Sequence, residues 1–305
     1  KLKRHNRTFG FILAARDDSE VYASNELLAR YFDKFAATLQ LALNRLQIEA
    51  SHEQLMAKER YIADTLQRAM RPEISNLPNV AHASRLIPAS GLTKIGGDFL
   101  DAFSGTDPSI VYFMIGDISG HGVEATSRNS FVRAAMKATA LTGLAPSDIM
   151  EKINNLICSD LPEDTYVTAV CGTLDTTSGL CEVCIAGHPE PLFMHAQAIT
   201  QVALVRNPLL GFQPDVCYQS YLTTLKPDDS IVLYTDGITD ARSKSNELYG
   251  LNRLIEMITS HRGATPETTL DRLYAAISRF EEGVAPHDDQ AVLVLRWSPT
   301  IASDT

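Results

Sequence analysis

A five-residue segment, Asp175 to Gly179, limits the fold more than any other feature of this 305-residue chain. It lies between two apolar runs of strand-like composition, Tyr166 to Leu174 and Leu180 to Ala186, and it is rich in turn-forming residues. A connection this short joins antiparallel neighbours, because a crossover between parallel strands needs about a dozen residues. We therefore expect an α+β fold and not a doubly wound parallel sheet.

Strand-like and helix-like patterns follow one another from residue 71 onward. Short apolar runs predict three further strands, at Ile110 to Ile115, Ser230 to Tyr234 and Gln290 to Arg296. Helical spacing of apolar residues predicts four helices, at Val123 to Leu141, Pro146 to Ser159, Leu248 to Ser260 and Pro266 to Phe280. Since the strands outnumber the helical crossovers, the pattern again favours an α+β domain.

The segment from Asn25 to Met70 has a different pattern. It contains no proline or glycine. Its apolar residues recur at helical spacing and form a stripe of Leu28, Phe32, Phe35, Leu39, Ala42 and Leu46, followed by Leu55, Ile62, Leu66 and Met70. We expect one long helix, or two in tandem with a break near Ser51, where the sequence is more polar. Such a helix either packs on the core or forms a coiled coil with a second chain, because its apolar stripe would otherwise face water. Upstream, Thr8 to Ala15 predicts a single strand.

The net charge of −10 and the pI of about 5.3 restrict the partners. A chain this acidic has no general attraction to a nucleic-acid backbone, so we expect no nucleic-acid partner. No apolar run reaches the roughly 20 residues that a membrane-spanning helix requires, so we expect no membrane insertion. The chain begins with Lys1, which we interpret as the start of a piece of a longer protein.

The five cysteines favour a reducing compartment. Their odd number and apolar surroundings are typical of buried thiols and not of a disulfide framework, so we expect a cytoplasmic protein. Cys181 and Cys184 have the C-x-x-C spacing of zinc ligands, but no second pair follows them. Ordinary core cysteines are the favoured interpretation.

Four short acidic motifs lie far apart in the sequence, where apolar runs meet small residues. They are Gly96-Gly97-Asp98, Gly116-Asp117-Ile118-Ser119-Gly120-His121-Gly122, Thr235-Asp236-Gly237 and His287-Asp288-Asp289. Any one of them could be an ordinary turn, and Asp117 could cap the helix that follows it. Together they predict one metal site, because carboxylates at the ends of separate strands can converge on a divalent cation. The adjoining glycines would let the backbone bend sharply.

The stretch from about Ile62 to Trp297 resembles the metal-dependent PPM (PP2C-type) serine/threonine phosphatases, and among them the bacterial SpoIIE/RsbU-like branch. Beside the acidic motifs, the matching segments are Leu66-Gln67, Ile87-Pro88-Ala89, Phe99-Leu100-Asp101, Val167-Thr168-Ala169, Ala186-Gly187-His188-Pro189, Leu210-Gly211 and Ile238-Thr239. The N-terminal residues are similar to the tail of a GAF sensor domain. The resemblance divides the chain into a GAF-like remnant (1–24), a helical linker (25–70), a phosphatase domain (71–298) and a tail (299–305).

The resemblance implies an αββα sandwich, in which two antiparallel sheets are flanked by helices and two Mn²⁺ or Mg²⁺ ions bind at one edge. Carried over by position, Asp117 would bridge both ions and the Ile118 carbonyl would bind one of them. The remaining implied ligands are Asp98, Asp236, Asp288 and, as an accessory ligand, Asp289.

Three histidines lie in or near the matching segments. His121 could act as a general acid or orient a ligand, which makes it a candidate catalytic residue together with Asp117 and Asp236. His188 is interpreted as a structural part of its turn, and His287 as a neighbour of the ligands. The eukaryotic-type enzymes place a phosphate-binding arginine before the first aspartate, where this chain offers only Lys94.

The implied activity is hydrolysis of phosphoserine or phosphothreonine by a water held between two ions. The implied substrate is a bacterial regulatory protein, an anti-sigma-factor antagonist of the STAS type. The alternative is a phosphatase-like scaffold without turnover. We also expect a homodimer through the N-terminal helix, whose state would control the order of the segment around Asp98.

Overall fold

The computed structural model describes residues 2–4, 7–10, 33–54, 74, 76–89, 96–120, 122–162, 165–195, 198–201 and 207–299. The chain divides into two compact units, Lys1–Ile62 and Ala63–Thr305. All four acidic motifs belong to the second unit.

The first unit contains a hairpin and a helix. Strands β1 (Leu2–Arg4) and β2 (Arg7–Gly10) pair in antiparallel fashion, so the single strand expected from Thr8 is wrong in this respect. A lone strand would leave its backbone groups unpaired, and the residues just upstream supply the partners. Residues 33–54 form helix α1, which continues through Ser51 without a break. Residues 11–15, and the predicted helical residues 25–32 and 55–70, lie outside the described residues.

The second unit is built on two five-stranded antiparallel sheets. The first consists of β4 (Phe99–Ser104), β5 (Ile110–Ile118), β6 (Val167–Asp175), β7 (Leu180–Ala186) and β10 (Ser220–Thr224), in the order β10-β7-β6-β5-β4. The second consists of β3 (Val80–Ile87), β8 (Leu192–Met194), β9 (Ile199–Gln201), β11 (Ser230–Tyr234) and β12 (Gln290–Trp297), in the order β3-β12-β11-β8-β9.

Helices cover the outer faces of both sheets. They are α2 (Gly122–Ala140), α3 (Pro146–Asp160), α4 (Asp236–Thr239), α5 (Gly250–Ser260) and α6 (Pro266–Glu281). The four predicted helices are confirmed, with ends that differ by at most two residues. No helix among the described residues is long and apolar enough to cross a membrane.

Three apolar layers hold the second unit together. The central layer lies between the sheets and joins Phe113 of the first to Phe193 and Leu293 of the second. A second layer packs α2 and α3 on the first sheet, and a third packs α4, α5 and α6 on the second sheet. Burial of these layers is the main favourable term in folding. The predicted αββα sandwich is confirmed.

Residues 175–179 form the predicted hairpin turn between β6 and β7. The Asp175 carboxylate accepts the Thr177 backbone N–H at 2.8 Å, and the Asp175 carbonyl accepts the Gly179 N–H at 2.8 Å. Gly179 has a φ of 75°, which glycine adopts without the steric cost of a Cβ. The turn could therefore be predicted from its residue types alone.

Cys171, Cys181 and Cys184 are buried core cysteines, whereas Cys158 is partly exposed and Cys217 is exposed, so the expectation of buried thiols is wrong for Cys217. Cys181 belongs to the layer between the sheets, whereas Cys184 belongs to the layer beneath the helices. Residues three apart in a strand point to opposite faces, so these two thiols cannot share one zinc ion. All five cysteines are free.

Candidate metal centre

Antiparallel pairing brings the acidic motifs together two by two. Because β4 and β5 are antiparallel neighbours, Asp98, which precedes β4, lies beside Asp117 near the end of β5. Because β11 and β12 are antiparallel neighbours, Asp236, which follows β11, faces the Asp288-Asp289 pair that precedes β12. Each sheet therefore contributes one pair of motifs at one edge.

Hydrogen bonds between the sheets join the two pairs. The Thr235 hydroxyl donates to Asp98 Oδ2 at 2.7 Å and accepts the Ala291 backbone N–H at 3.0 Å. The Asp98 backbone N–H donates to Asp289 Oδ2 at 3.4 Å. Asp98, Thr235 and Asp289 are all buried, so these bonds form away from water. All four motifs thus lie at one edge of the sandwich.

Gly97 lies against the end of β5 and leaves a small space there. The Ile118 N–H donates to the Gly97 carbonyl at 3.3 Å. A Cβ on Gly97 would lie 2.5 Å from the Ile118 carbonyl oxygen and 2.6 Å from Asp117 Oδ1. Two oxygen atoms therefore converge on a space that a larger residue would fill. Converging oxygens are the ligands that Mg²⁺ and Mn²⁺ prefer.

Two glycines of the motifs, Gly96 and Gly237, act through close approach to other chain segments. A Cβ on Gly96 would overlap the Asp289 carboxylate, and a Cβ on Gly237 would overlap the Asp289 carbonyl oxygen. Neither glycine has a positive φ, whereas Gly120 has a φ of 107°. The chain bends at Gly97, as expected, whereas Gly96 and Gly237 serve to admit neighbouring chain segments.

The carboxylates of the site repel one another. Burial, followed by the neighbouring charges of Asp236, Asp288 and Asp289, raises the pKa of Asp117 to about 7. Burial and the charges of Asp117 and Asp289 likewise raise the pKa of Asp98 well above its ordinary value. A divalent cation would remove this repulsion. The residues present therefore fit the metal ions that the sequence implies.

Asp289 differs from Asp236 and Asp288 in its surroundings. It is buried, and its Oδ1 accepts the Ala89 backbone N–H at 2.8 Å while its Oδ2 accepts that of Asp98. Asp236 and Asp288 are exposed. The protein thus already uses both oxygens of Asp289, which suits an accessory role better than direct coordination.

Two predicted site residues, His121 and Lys94, lie outside the described residues. Across the described ranges, no group of three or more His, Cys, Asp or Glu side chains has the spacing of a formed metal site. The observations that mark the site are the electrostatic coupling of its carboxylates and the paired oxygens beside Gly97.

His188 lies buried behind the site. Its Nδ1 is 2.9 Å from the Thr168 hydroxyl, and Thr168 pairs with Asp117 across β5 and β6. Burial lowers the pKa of His188 to about 3, so its imidazole is neutral at physiological pH. His287, in contrast, is exposed.

Two further residues belong to the site but were given no role from the sequence. Thr235 belongs to the Thr235-Asp236-Gly237 motif, and the available signal was a threonine between an apolar strand and an acidic residue. Asn129 of α2 donates to the carbonyls of Gly97 and Asp98, at 3.0 and 2.7 Å. No local pattern marks it, since its partners lie some thirty residues upstream.

Solved structures share this fold. The RsbU and RsbW domains of Rv1364c from Mycobacterium tuberculosis align at 27% identity and a TM-score of 0.64, covering 74% of this chain and 62% of that chain. The SiaA-PP2C domain of Pseudomonas aeruginosa aligns at 19% identity and a TM-score of 0.71, covering 82% of this chain and 99% of that domain. The sandwich is therefore a PP2C phosphatase fold.

Curated relatives include two phosphoserine phosphatases of Bacillus subtilis. RsbU is 25% identical over 194 residues, which are 62% of this chain and 56% of RsbU. RsbP is 20% identical over 183 residues, which are 59% of this chain and 44% of RsbP. The chain thus spans about half the length of these relatives. Residues 107–298, more than half of the chain, match the family described as Stage II sporulation protein E, and the chain belongs to this SpoIIE family.

Proposed function

We propose that this chain is a metal-dependent protein phosphatase that hydrolyses phosphoserine or phosphothreonine in a regulatory protein. The observation that carries the proposal is the convergence of Asp117 Oδ1 and the Ile118 carbonyl beside Gly97, within a set of mutually repelling carboxylates. The phosphoserine phosphatases RsbU and RsbP, as relatives, support the reaction class.

The acidic edge would hold two Mn²⁺ or Mg²⁺ ions. Asp117 has the central place, because its charge is coupled to Asp98 of its own sheet and to Asp236 and Asp288 of the other sheet. Asp117 and the Ile118 carbonyl would be the central ligands that hold these ions. RsbX, a solved structure of this fold, is in complex with magnesium, which supports a hard divalent cation.

Bound ions would supply an activated water for hydrolysis and offset the charge of the phosphoryl oxygens. The chain's own residues fix the geometry and admit the substrate. Asp236 and Asp288 are exposed, so they face the solvent from which a phosphorylated side chain arrives. We assign His121, which follows Gly120 in the Asp117 motif, the donation of a proton to the leaving hydroxyl.

The proposed substrate is a phosphorylated anti-sigma-factor antagonist of the STAS type. The similarity to RsbU and to the RsbU domain of Rv1364c supports this class of substrate. We place the reaction in the cytoplasm, since five free thiols suit a reducing compartment.

Helix α1 is proposed to pair with its counterpart in a second chain and to transmit the state of an N-terminal sensor, of the GAF type, to the segment around Asp98. Phe35 and Leu46 lie eleven positions apart on the predicted apolar stripe and are 59% and 61% exposed. A helix pair would remove this stripe from water.

Phosphate release from a phosphoserine-containing STAS-domain protein tests the activity. We expect Mn²⁺-dependent release by the chain and a loss of about 100-fold or more in Asp117→Asn and Asp236→Asn. Asp148→Asn is the matched control, because Asp148 is exposed on α3 near Leu144, whose carbonyl binds Tyr112 at the far end of β5 from Asp117. Equal rates in all four proteins would refute the assignment of this site.

The scaffold alternative makes the opposite prediction. A domain without turnover would bind the phosphorylated partner and release no phosphate at any Mn²⁺ concentration. Binding without release, measured on the same samples, would favour the scaffold over the enzyme. The full acidic set is the feature that favours the enzyme.

Light scattering tests the proposed dimer. We expect the chain to be a dimer and the double variant Phe35→Glu, Leu46→Glu to be a monomer, because charge on the stripe opposes pairing. The control variant Lys34→Glu, Arg45→Glu adds negative charge one position before each stripe residue and should stay dimeric. A monomeric parent chain would rule out the coiled coil.

A further inference from the structure

Asn129 of α2 holds the backbone of the Gly97-Asp98 segment. Its side chain is buried, with 1% of its surface exposed. Its Nδ2 donates to the Gly97 carbonyl at 3.0 Å and to the Asp98 carbonyl at 2.7 Å. Both amide hydrogens are thus used on consecutive carbonyls. The orientation is fixed, because an Oδ1 in the same place would face two acceptors.

The contact lies where α2 packs on β4. Val132 and Met136 of α2 share an apolar layer with Phe99 and Phe103 of β4. These helix positions follow Asn129 at intervals of three and four residues, so they lie on the same face of α2. The apolar packing therefore presses this face, and Asn129 with it, against the strand that Asp98 precedes.

A second polar contact joins the same two elements farther from the site. Lys137 Nζ lies 3.1 Å from Asp101 Oδ2 and 4.5 Å from the centre of the Phe103 ring. This ion pair, together with the apolar layer, already attaches α2 to β4. Attachment of the helix is therefore not a sufficient reason for a buried amide at position 129.

The amide of Asn129 also carries a cost. Its Oδ1 is buried and has no hydrogen-bond partner among the described residues. An unpaired buried acceptor is unfavourable, and an apolar side chain of similar volume would avoid it. What an apolar side chain could not supply is the pair of donors to the Gly97 and Asp98 carbonyls.

We propose that Asn129 is a positioning residue that fixes the Gly97-Asp98 peptide so that Asp98, Asp117 and the Ile118 carbonyl are set for cation binding. This inference rests on the proposed metal-dependent function. Gly97 supplies the link, because its carbonyl accepts from both Asn129 and the Ile118 N–H, and its missing Cβ leaves the space beside Asp117. Loss of the two donors would leave the peptide free to shift, so a cation would have to order it on binding.

Calorimetric titration of the 305-residue chain with Mn²⁺ tests the proposal without any turnover. We expect Asn129→Leu to weaken Mn²⁺ binding about tenfold or more, which is the usual effect of removing a partner that orients a metal ligand. Asn154→Leu is the matched control. Asn154 is also fully buried, and its amide binds Gln213 and Gly211 of a loop, at 2.8 and 2.9 Å.

Thermal unfolding without metal separates positioning from stability. Both leucine variants should lower Tm, while Mn²⁺ affinity should fall in Asn129→Leu and stay within twofold of the parent in Asn154→Leu. Asn129→Ser is a second variant that leaves room for water and keeps one donor, and it should bind Mn²⁺ with intermediate affinity. If both Asn129 variants bind Mn²⁺ like the parent, or if Asn154→Leu weakens binding equally, Asn129 has no positioning role.

The outcomes for the proposed function are distinct. If the parent chain binds Mn²⁺ but releases no phosphate, the phosphatase proposal is refuted. The positioning role of Asn129 can still be judged from the Mn²⁺ affinities of its variants. A parent chain that binds no Mn²⁺ refutes both. At saturating Mn²⁺, turnover by Asn129→Leu should recover to within a few-fold of the parent, because the bound ions restore the peptide position.

Discussion

The site has a buried half and an open half, and the two differ in what holds their carboxylates. Asp98 and Asp289 are buried and receive hydrogen bonds from distant parts of the chain, namely Thr235 and Ala89. Asp236 and Asp288 are exposed, and Asp288 Oδ1 accepts the N–H of its own neighbour, Asp289. The buried half therefore builds the frame of the site, while the open half faces the solvent from which the proposed ions and substrate would arrive.

Asp117 lies between the halves, and its substitution should have the largest effect. Asp117→Asn removes the charge that couples to both sheets, so we expect phosphate release to fall by about 10²–10³-fold. Its affinity for Mn²⁺ should fall with it, as calorimetry would show. A variant that keeps more than a tenth of the parent rate would mean that the two halves do not share a central ligand.

The next largest effect separates the halves directly. Asp289→Asn replaces one accepting oxygen with a donor that faces a backbone N–H, of Ala89 or of Asp98, so it should lower the free energy of unfolding by about 2 kcal/mol. Denaturant titration of the metal-free chain measures this loss. Asp236→Asn is the control from the open half and should leave the stability within about 0.5 kcal/mol of the parent.

Equal losses of stability in Asp289→Asn and Asp236→Asn would show that the buried and the open carboxylates contribute equally to the stability of the fold. The reverse pattern is expected for turnover at saturating Mn²⁺. There Asp236→Asn should lose more activity than Asp289→Asn, because the oxygens of Asp289 are already taken by the backbone.

Thr235 joins the frame across the two sheets, and its removal should have a smaller effect. Thr235→Val keeps the shape but leaves Asp98 Oδ2 and the Ala291 N–H without this partner, at a cost of about 1.5 kcal/mol. Thr235→Ser keeps the hydroxyl and should retain most of the stability. If Thr235→Ser destabilises the chain as much as Thr235→Val, the methyl group that serine lacks contributes as much as the hydroxyl, and the hydrogen bond is not the main contribution of Thr235.

The same contrast explains what the sequence could predict. The hairpin of β6 and β7 and the strands β5, β11 and β12 are buried, so their apolar runs are visible in the sequence. Five strands of the second unit were not predicted, and four of them, β3, β4, β9 and β10, lie at sheet edges. β3 and β10 are partly exposed and β9 has only three residues, so their pattern is weak, whereas β4 is buried and was matched only through the resemblance. The resemblance supplied the two-sheet architecture that these edges could not.

The site shows the same limit at the level of single residues. Asp98, Asp117 and Asp236 were visible because each adjoins a glycine, and Asp288 and Asp289 were visible as an acidic pair just before an apolar strand. Asn129 could not be recognised from the sequence. Its role depends on hydrogen bonds to two carbonyls about thirty residues away, which α2 contacts only in the folded chain. Local patterns therefore revealed the carboxylates, buried and open, better than the buried contacts that hold the frame.

The smallest expected effect concerns pH and the metal-free chain. The pKa of Asp117 is raised to about 7, so between about pH 4 and pH 7 the folded chain keeps a proton that the unfolded chain has released. The free energy of unfolding contributed by this group therefore falls as the pH rises through that window. Asp117→Asn cannot titrate there, and it also removes the charge that, after burial, does most to raise the pKa of Asp98, so both changes lessen this loss of stability. The Tm of the variant relative to the parent should rise by a few degrees from pH 5 to pH 8.

At pH 8, Mn²⁺ should raise the Tm of the parent above that of Asp117→Asn. The cation stabilises the ionised carboxylates of the parent and finds no central ligand in the variant. Scanning calorimetry of both proteins, with chelator and with Mn²⁺, gives the four values needed. If the difference in Tm stays flat from pH 5 to pH 8 in chelator, neither burial nor the neighbouring carboxylates raise the pKa of Asp117 in the folded chain. The site would then hold no electrostatic strain at Asp117 for a cation to relieve, and the affinity for metal would have to come from the arrangement of the ligands alone.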